Sequence, residues 1–312
     1  MLKFWYMASG YWGAQCLLEL TKRGVFPDLV ITSNPKPFGR GFKLRPNKVD
    51  EVANSLKLNI WRSENINLDE ALKEKLAAQK LDVIIVIDFG QKVREPYLST
   101  PKFGCINLHP SLLPKYRGAA PIQRALMDGQ KVTGVTVFKL TELMDAGPIL
   151  AQEEVPIDID DTAGTLSKKL LPAGVDLLVT ALNLLITGTA QFKEQDESAA
   201  TFAPKIANEE AFFDFDEKAT EIHNKVRALN PKPGAYTYVN NKRLKVWRTK
   251  LINKEETLST PRTILSIYEG FPVIACGKGA ISLREVQWEG KAIVDGRSFI
   301  NGLRLREGDV LP

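Results

Sequence analysis

Through the first half of the chain, short runs of β-branched and large apolar residues alternate with stretches whose apolar positions recur every three or four residues. Residues 2–8, 29–32, 83–87 and 105–108 read as strands, and residues 13–22, 49–56 and 68–79 as helices, with Leu72 and Leu76 sharing one helical face. Val83-Ile84-Ile85-Val86-Ile87 is apolar at every position, the pattern of a strand covered on both sides. This alternation predicts an α/β fold with a doubly wound, mostly parallel, Rossmann-like sheet. Ligands of such sheets sit beyond the carboxyl ends of the strands, so the site is expected after Asp88 and Leu108.

A helical pattern at 162–185 closes this region. Residues 188–206 are polar, charged and aperiodic, and are expected to form a linker between a domain at 1–187 and a second at 207–312. Beyond them the pattern turns to short strands, at 235–239, 244–247, 263–268, 273–276 and 281–287, with Asn240-Asn241 as a hairpin turn and one helix at 219–228. A small, OB-like β-barrel of the kind that binds oligonucleotides is expected there. A chain of 312 residues has room for two domains at roughly 150 residues each.

Composition excludes several classes. With 44% hydrophobic and 25% charged residues, the chain reads as an ordinary packed protein and not a disordered one. No uninterrupted apolar run approaches the roughly 20 residues that cross a bilayer, so no membrane span is expected. The N-terminal apolar run stops at Gly10 with no small-residue cleavage site and reads as a buried strand. Cys16, Cys105 and Cys276 are scattered and odd in number, which favours a reducing cytoplasm over a disulfide framework. His109 and His223 are the only histidines and there is no Cys-x-x-Cys pair, so catalysis without a metal is expected.

The formal net charge of +5 matters through its distribution. Between Asp28 and Asp50 no acid interrupts Lys36, Arg40, Lys43, Arg45 and Lys48. Between Glu221 and Glu255 the bases include Lys232, Lys242, Arg243, Lys245 and Arg248, with Tyr236, Tyr238 and Trp247 interleaved. The simpler reading of either cluster is a solvated face. Two such clusters far apart in the chain favour a polyanionic partner. The first βα turn, Ala8-Ser9-Gly10-Tyr11-Trp12-Gly13, lacks the G-x-G-x-x-G of dinucleotide sites, and its glycines are expected only to permit the turn.

The densest chemistry lies at 107–118. Asn107 and His109, two apart on a strand, project to one face at its exit. An imidazole that exchanges protons near neutral pH and an amide that donates to a developing oxyanion suit acyl transfer. A hydrogen-bonded histidine and a turn-capping asparagine would give the same spacing. Ser111-Leu112-Leu113-Pro114 reads as a rigid wall. Asp145, before Gly147, is either a partner that orients the imidazole or a turn former.

Taken together, Asn107-x-His109, Ser111-Leu112-Leu113-Pro114 with Arg117-Gly118, and Asp145-x-Gly147 resemble the signature of the folate-dependent formyltransferases in order and spacing. The resemblance extends to Asp88-Phe89-Gly90-Gln91, where that family has its folate loop. Within the superfamily the chain is most similar to the methionyl-tRNA formyltransferases, through Gly39-Arg40-Gly41-Phe42-Lys43-Leu44, Ala203-Pro204-Lys205-Ile206 and the segment 227–236.

The resemblance implies a cytoplasmic, monomeric enzyme moving a formyl group from 10-formyltetrahydrofolate to the amine of methionyl initiator tRNA. It further implies that Asn107, His109 and Asp145 are catalytic and that Phe89, Gly90, Gln91, Ser111, Leu112, Leu113 and Pro114 frame the folate. Arg40, Lys43, Arg45, Lys232, Lys242, Arg243, Lys245 and Arg248 are implied to hold tRNA. In the family a Gly-Thr-Pro-x-Phe stretch follows the first strand, and here Ala8-Ser9-Gly10-Tyr11-Trp12 replaces it. A formyltransferase acting on a nucleotide-linked amino sugar is the second reading, and an RNA-binding protein on a degenerate enzyme scaffold the third.

Overall fold

The computed structural model describes residues 2–38, 43–253 and 259–312. Contacts divide the chain into two compact units, one made of Met1–Gly118, Thr133–Val155 and Ser167–Phe202, the other of Ala119–Val132, Pro156–Leu166 and Ala203–Pro312. Residues 188–202, aperiodic in sequence, thus pack with the first unit.

Through residue 187 the elements are β1 (Phe4–Met7), α1 (Tyr11–Lys22), β2 (Leu29–Thr32), β3 (Lys36–Phe38), β4 (Lys43–Arg45), α2 (Lys48–Ser55), β5 (Ile60–Arg62), α3 (Glu70–Ala78), β6 (Val83–Val86), β7 (Cys105–His109), α4 (Pro121–Met127), β8 (Val132–Lys139), β9 (Ile149–Pro156) and α5 (Ala163–Thr187). Seven strands form one sheet in the order β5-β2-β1-β6-β7-β8-β9. From β5 to β7 every pairing is parallel, and β8 joins β7 antiparallel. Every residue of β1, β2 and β6 is buried, as strands covered on both faces require. Chain order reverses between β1 and β6, and their carboxyl ends form the crevice where such sheets bind ligands.

Caps set the helix starts. The Asn47 side chain accepts from Asp50 N at 3.0 Å to begin α2, and Asp69 accepts from Leu72 N at 3.0 Å to begin α3. The sequence pattern does not reveal β5, β9, α4 or the β3–β4 hairpin. Each is short or, like Gln152-Glu153-Glu154 in β9, polar because it is exposed.

Polar residues interrupt the apolar runs of α5, so its length as an apolar helix does not show in the sequence. Its 25 residues are long and apolar enough to cross a bilayer by length and composition. Here Gly174 of α5 lies so close to the sheet that a Cβ would meet Leu108 at 3.1 Å and Val135 at 3.3 Å. The apolar face of this helix is a sheet-packing face.

The second unit contains α6 (Ala219–Ala228), β10 (Ala235–Val239), β11 (Lys242–Asn253), β12 (Ile264–Tyr268), β13 (Phe271–Ala275), β14 (Ala280–Trp288), β15 (Ile293–Asp295) and α7 (Gly296–Leu303). Its antiparallel sheet runs β10-β11-β14-β13-β12, with β15 on β14. Bulges along β11 bend the long strand, the device that curls sheets towards barrels. Asn240 and Asn241, at φ 51 and 57, form the tight β10–β11 turn that asparagine tolerates. The core gathers Phe213, Phe215, Ile222, Val246, Ile274 and Leu283. Truncating either phenylalanine to alanine would cost about 3–5 kcal/mol.

Candidate active site

The exits of β1 and β6 are joined by Asp88, whose backbone oxygen accepts from Ser9 N at 3.0 Å and Gly10 N at 2.8 Å. Its Oδ2 accepts from Trp12 N at 3.2 Å and so caps α1. The residue as a whole is exposed, yet its carboxyl group is turned under the helix start, where desolvation raises its pKa against the opposing pull of the Gly13 and Trp12 amides. Gly10 corrects the reading that glycines here only permit a turn. Its φ of −87 suits any residue, and glycine is needed because a Cβ would lie 1.8 Å from Asp88 Oδ2.

Asn107 and His109 stand together on β7, and Leu108 between them points the other way, onto α5. The half-buried Asn107 side chain has no hydrogen-bond partner among the described residues. His109 is 5% exposed, and its Nε2 lies 2.9 Å from Tyr116 O. A carbonyl only accepts, so Nε2 carries a hydrogen there. Nδ1 lies 3.9 Å from Asp145 Oδ2, beyond hydrogen-bond reach and within ion-pair range. The three residues named from sequence are thus brought together.

Asp145 is held from several directions. Its Oδ2 accepts from Gly118 N at 2.8 Å, and Gln195 Nε2 donates to Asp145 O at 2.8 Å and Gly147 O at 2.7 Å. Gln195 Oε1 in turn accepts from Arg117 Nε at 3.1 Å and Nη2 at 2.8 Å. Arg117 is buried and forks onto Glu197 at 2.9 and 2.7 Å. Thr201 takes hydrogen bonds from Tyr116 N and Arg117 N at 2.8 and 2.9 Å. No motif in the sequence points to Gln195, Glu197 or Thr201. An aperiodic polar segment gives no periodicity to read, and the one available signal was the buried-type pairing that Arg117 would need.

Most of the residues assigned to a folate frame are tied into the surrounding fold. Phe89 is buried in a cluster with Trp5, Met7 and Tyr97. Gln91 ties down the neighbouring segment, accepting from Ile66 N at 3.0 Å and donating to Ser63 O at 3.1 Å. Gly90, at φ 76, has nothing within 4 Å of where a Cβ would stand, so its backbone faces open space. Ser111 Oγ donates to Lys115 O at 2.7 Å, and Thr136 Oγ1 donates to Ser111 O at 2.6 Å while accepting from Leu113 N at 3.2 Å. Leu113 is buried, whereas Leu112 and Pro114 are half-buried.

Of the basic residues, Arg40 lies outside the described residues, and the backbone of Lys43 belongs to β4. Arg45 lies 3.8 Å from Glu51. Lys232, Lys242, Arg243, Lys245 and Arg248 stand on the second unit. Acid-free in sequence, this stretch meets acids through the sheet, since antiparallel pairing brings Glu285 to 3.6 Å from Arg248, and Glu269 lies 3.1 Å from Lys250. No acid pairs with Lys232, Lys242 or Arg243 among the described residues. On β10 and β11 the cations interleave with rings, Arg243 lying 3.6 Å from the Tyr236 centroid and Lys245 5.2 Å from that of Trp247. No group of acids, histidines and cysteines suited to a metal occurs among the described residues.

Residues 4–182 match the family model described as formyl transferase, and residues 205–304 match that of the formyl transferase C-terminal domain. A methionyl-tRNA formyltransferase from Kosmotoga olearia is 36% identical over 307 residues, covering 98% of both chains. Another, from Thermotoga maritima, is 38% identical over 305 residues, covering 96% of both. The chain belongs to the methionyl-tRNA formyltransferase family.

Among solved structures, the family fold recurs in an N-formyltransferase from Helicobacter canadensis in complex with folinic acid and dTDP-3-aminofucose. Its TM-score is 0.67 at 22% identity, covering 91% of this chain and 99% of that one. HypX from Aquifex aeolicus in complex with tetrahydrofolic acid gives a TM-score of 0.65 at 17% identity, covering 99% of this chain and 48% of that one. At these identities the likeness is one of fold.

Proposed function

We propose that the chain, acting as a cytoplasmic monomer, transfers the formyl group of 10-formyltetrahydrofolate to the amine of methionyl initiator tRNA. The observation that carries the chemistry is the uncommitted Asn107 amide beside His109, whose Nδ1 stands near the Asp145 carboxylate. The near full-length relationship to methionyl-tRNA formyltransferases supports the choice of substrate. Cys16, Cys105 and Cys276 are buried and none is disulfide-bonded, which suits a reducing compartment.

The pyrimidinone half of a reduced pterin is flat and edged with hydrogen-bonding groups. The open backbone at Gly90 and the half-buried Leu112 and Pro114 fit such a ring, with Phe89, Gln91, Ser111 and Leu113 holding the wall behind them. As a substrate the folate supplies the formyl carbon and a nitrogen leaving group.

The Asn107 amide donates to the formyl oxygen as negative charge gathers there, an effect worth about 3 kcal/mol for one donor of this kind. Bonding of the amine nitrogen to the formyl carbon sheds one amine proton. With Nε2 engaged by Tyr116 O, the His109 Nδ1 is the ring nitrogen left to take it. Tyr116 O holds the imidazole in line, and the Asp145 carboxylate, fixed by Gly118 N and Gln195, favours the cation that forms as Nδ1 takes the proton. The departing nitrogen gains one proton, so the exchange balances.

Lys232, Lys242, Arg243, Lys245 and Arg248 supply salt-dependent hold on tRNA phosphates. Arg40, Lys43 and Arg45, cations closely spaced in a stretch with no acid, read the initiator acceptor end by donating to its base edges and phosphates. The test compares formyl transfer to methionyl initiator tRNA, methionyl elongator tRNA and a nucleotide-linked amino sugar. Preference for the first is expected, and Arg40→Ala should narrow its lead over the second. Formylation of the amino sugar in preference to either tRNA overturns the reading.

A further inference from the structure

At one end of the second unit's sheet, the Asn240-Asn241 turn and the β14–β15 turn border a concavity of about 790 Å3. Tyr238, Lys242, Arg243, Trp288, Glu289 and Lys291 contribute to its lining. Glu289 N donates to Arg243 O at 3.4 Å and so ties the two turns together, while Lys291 N donates to Trp288 O at 3.0 Å and closes the second turn on itself. Phe299 packs tilted against the half-buried Trp288 ring at 5.6 Å between centroids, and Tyr238 is 45% exposed, so both lining rings are partly open to solvent.

The charges are out of balance. Arg243 lies flat on Tyr236, and its Nε is buried without a hydrogen-bond partner. No acid pairs with Arg243, Lys242 or Lys291 among the described residues, and Glu289 is the one carboxylate in the lining. Holding an arginine nitrogen dry and unpaired is costly unless a ligand completes it. Flat aromatic faces beside unneutralised cations match one chemical unit, a planar base joined to a phosphate.

We propose that this concavity seats a single unstacked nucleotide of an RNA strand, its base against Trp288 or Tyr238 and its phosphate among Lys242, Arg243 and Lys291. The Glu289 carboxylate, which would repel a bare anion, faces the base, where it accepts from an N–H edge. The proposal rests on the tRNA reading above and deepens it, since it assigns part of the RNA affinity to stacking and not to charge alone.

The experiment measures binding to the full chain without any formyl donor, by fluorescence anisotropy at one fixed salt concentration. The probes are a short unstructured oligoribonucleotide, an abasic oligomer of equal charge and an oligoglutamate peptide. Tighter binding of the oligoribonucleotide than of the abasic oligomer is expected. Trp288→Ala should weaken the first about tenfold and leave the second unchanged.

Because Trp288 packs on Phe299, Lys291→Glu in the exposed turn serves as a second variant. It should lower the slope of log affinity against log salt by about one or more. Equal binding of the two oligomers, binding indifferent to both variants, or equal capture of oligoglutamate overturns the proposal. A chain that formylates initiator tRNA yet fails here loses only this pocket, and one that binds as described without formylating loses only the catalytic reading.

Discussion

The Gln195 side-chain amide donates to the backbone oxygens of Asp145 and Gly147, at 2.8 and 2.7 Å, and so grips the turn on both sides of Ala146. Asp145 holds φ 51, a left-handed conformation that costs a non-glycine residue about 1 kcal/mol and persists where neighbours enforce it. Gln195 is one enforcer, itself fixed by Arg117.

Gln195→Ala should therefore lower kcat about tenfold or more while leaving the KM for tRNA and donor within about twofold, the mark of a displaced positioning residue. Gln195→Glu, of the same shape but without the donor hydrogens, should do no better. Initial rates under saturation check this. A variant that melts earlier yet turns over normally at low temperature would reduce Gln195 to a purely structural part.

The sequence carries the parallel strands well because burial on both faces leaves unbroken apolar runs, as at 83–87, and α6 and β10 appear where their periodicity places them. Elements whose stability comes from neighbours leave little trace. The Gln152-Glu153-Glu154 run of β9 is polar because it is solvent-exposed, and β5 has three residues, none of them buried. At the site, Asn107, His109 and Asp145 were legible as residue types at meaningful spacing. Gln195 was not, since its role depends on a contact fifty positions away from Asp145 that no local pattern encodes.

Asn107 and His109, as oxyanion donor and proton acceptor, act on the transfer step itself. Asn107→Ala removes a side chain with no hydrogen bond to the rest of the described residues, so the fold loses little. The rate should fall on the order of a hundredfold, with donor binding retained, because the lost interaction strengthens only as charge develops. His109→Ala should match or exceed that loss. Single-turnover rates and equilibrium donor binding check it, and near-normal turnover in both variants would remove these residues from the chemistry.

The folate frame is best probed at Gly90. Replacing Leu113 with a charge would test folding, since that side chain is 3% exposed. Gly90 at φ 76 opens onto empty space, and asparagine tolerates left-handed backbone better than other side chains do. Gly90→Asn should thus preserve the fold while filling the space in front of the loop. Donor KM should rise severalfold with tRNA KM unchanged. Parallel loss of both would place the donor elsewhere.

His223 predicts how acid affects the second unit. The ring is 2% exposed, with Nδ1 2.9 Å from Thr249 Oγ1 and Nε2 3.1 Å from Ile159 O. The carbonyl requires a hydrogen on Nε2, which leaves Nδ1 of the neutral ring to accept from the Thr249 hydroxyl. Burial lowers its pKa below the ordinary 6.5, and the nearby Arg227 cation adds to the effect against the pull of Ile159 O and Asp160. In the unfolded chain the ring takes up a proton as pH falls through 6.5, while in the folded chain it stays neutral to lower pH. The unfolded state then binds more protons, so stability rises with pH in this window, is fully present above 6.5 and is lost on acidification below it. Denaturant unfolding followed between pH 7.5 and 5 should show this loss in the native protein. His223→Gln, which cannot titrate, should be less stable at pH 7.5 and show a flatter decline. An equal decline in both proteins would assign the acid sensitivity to other groups.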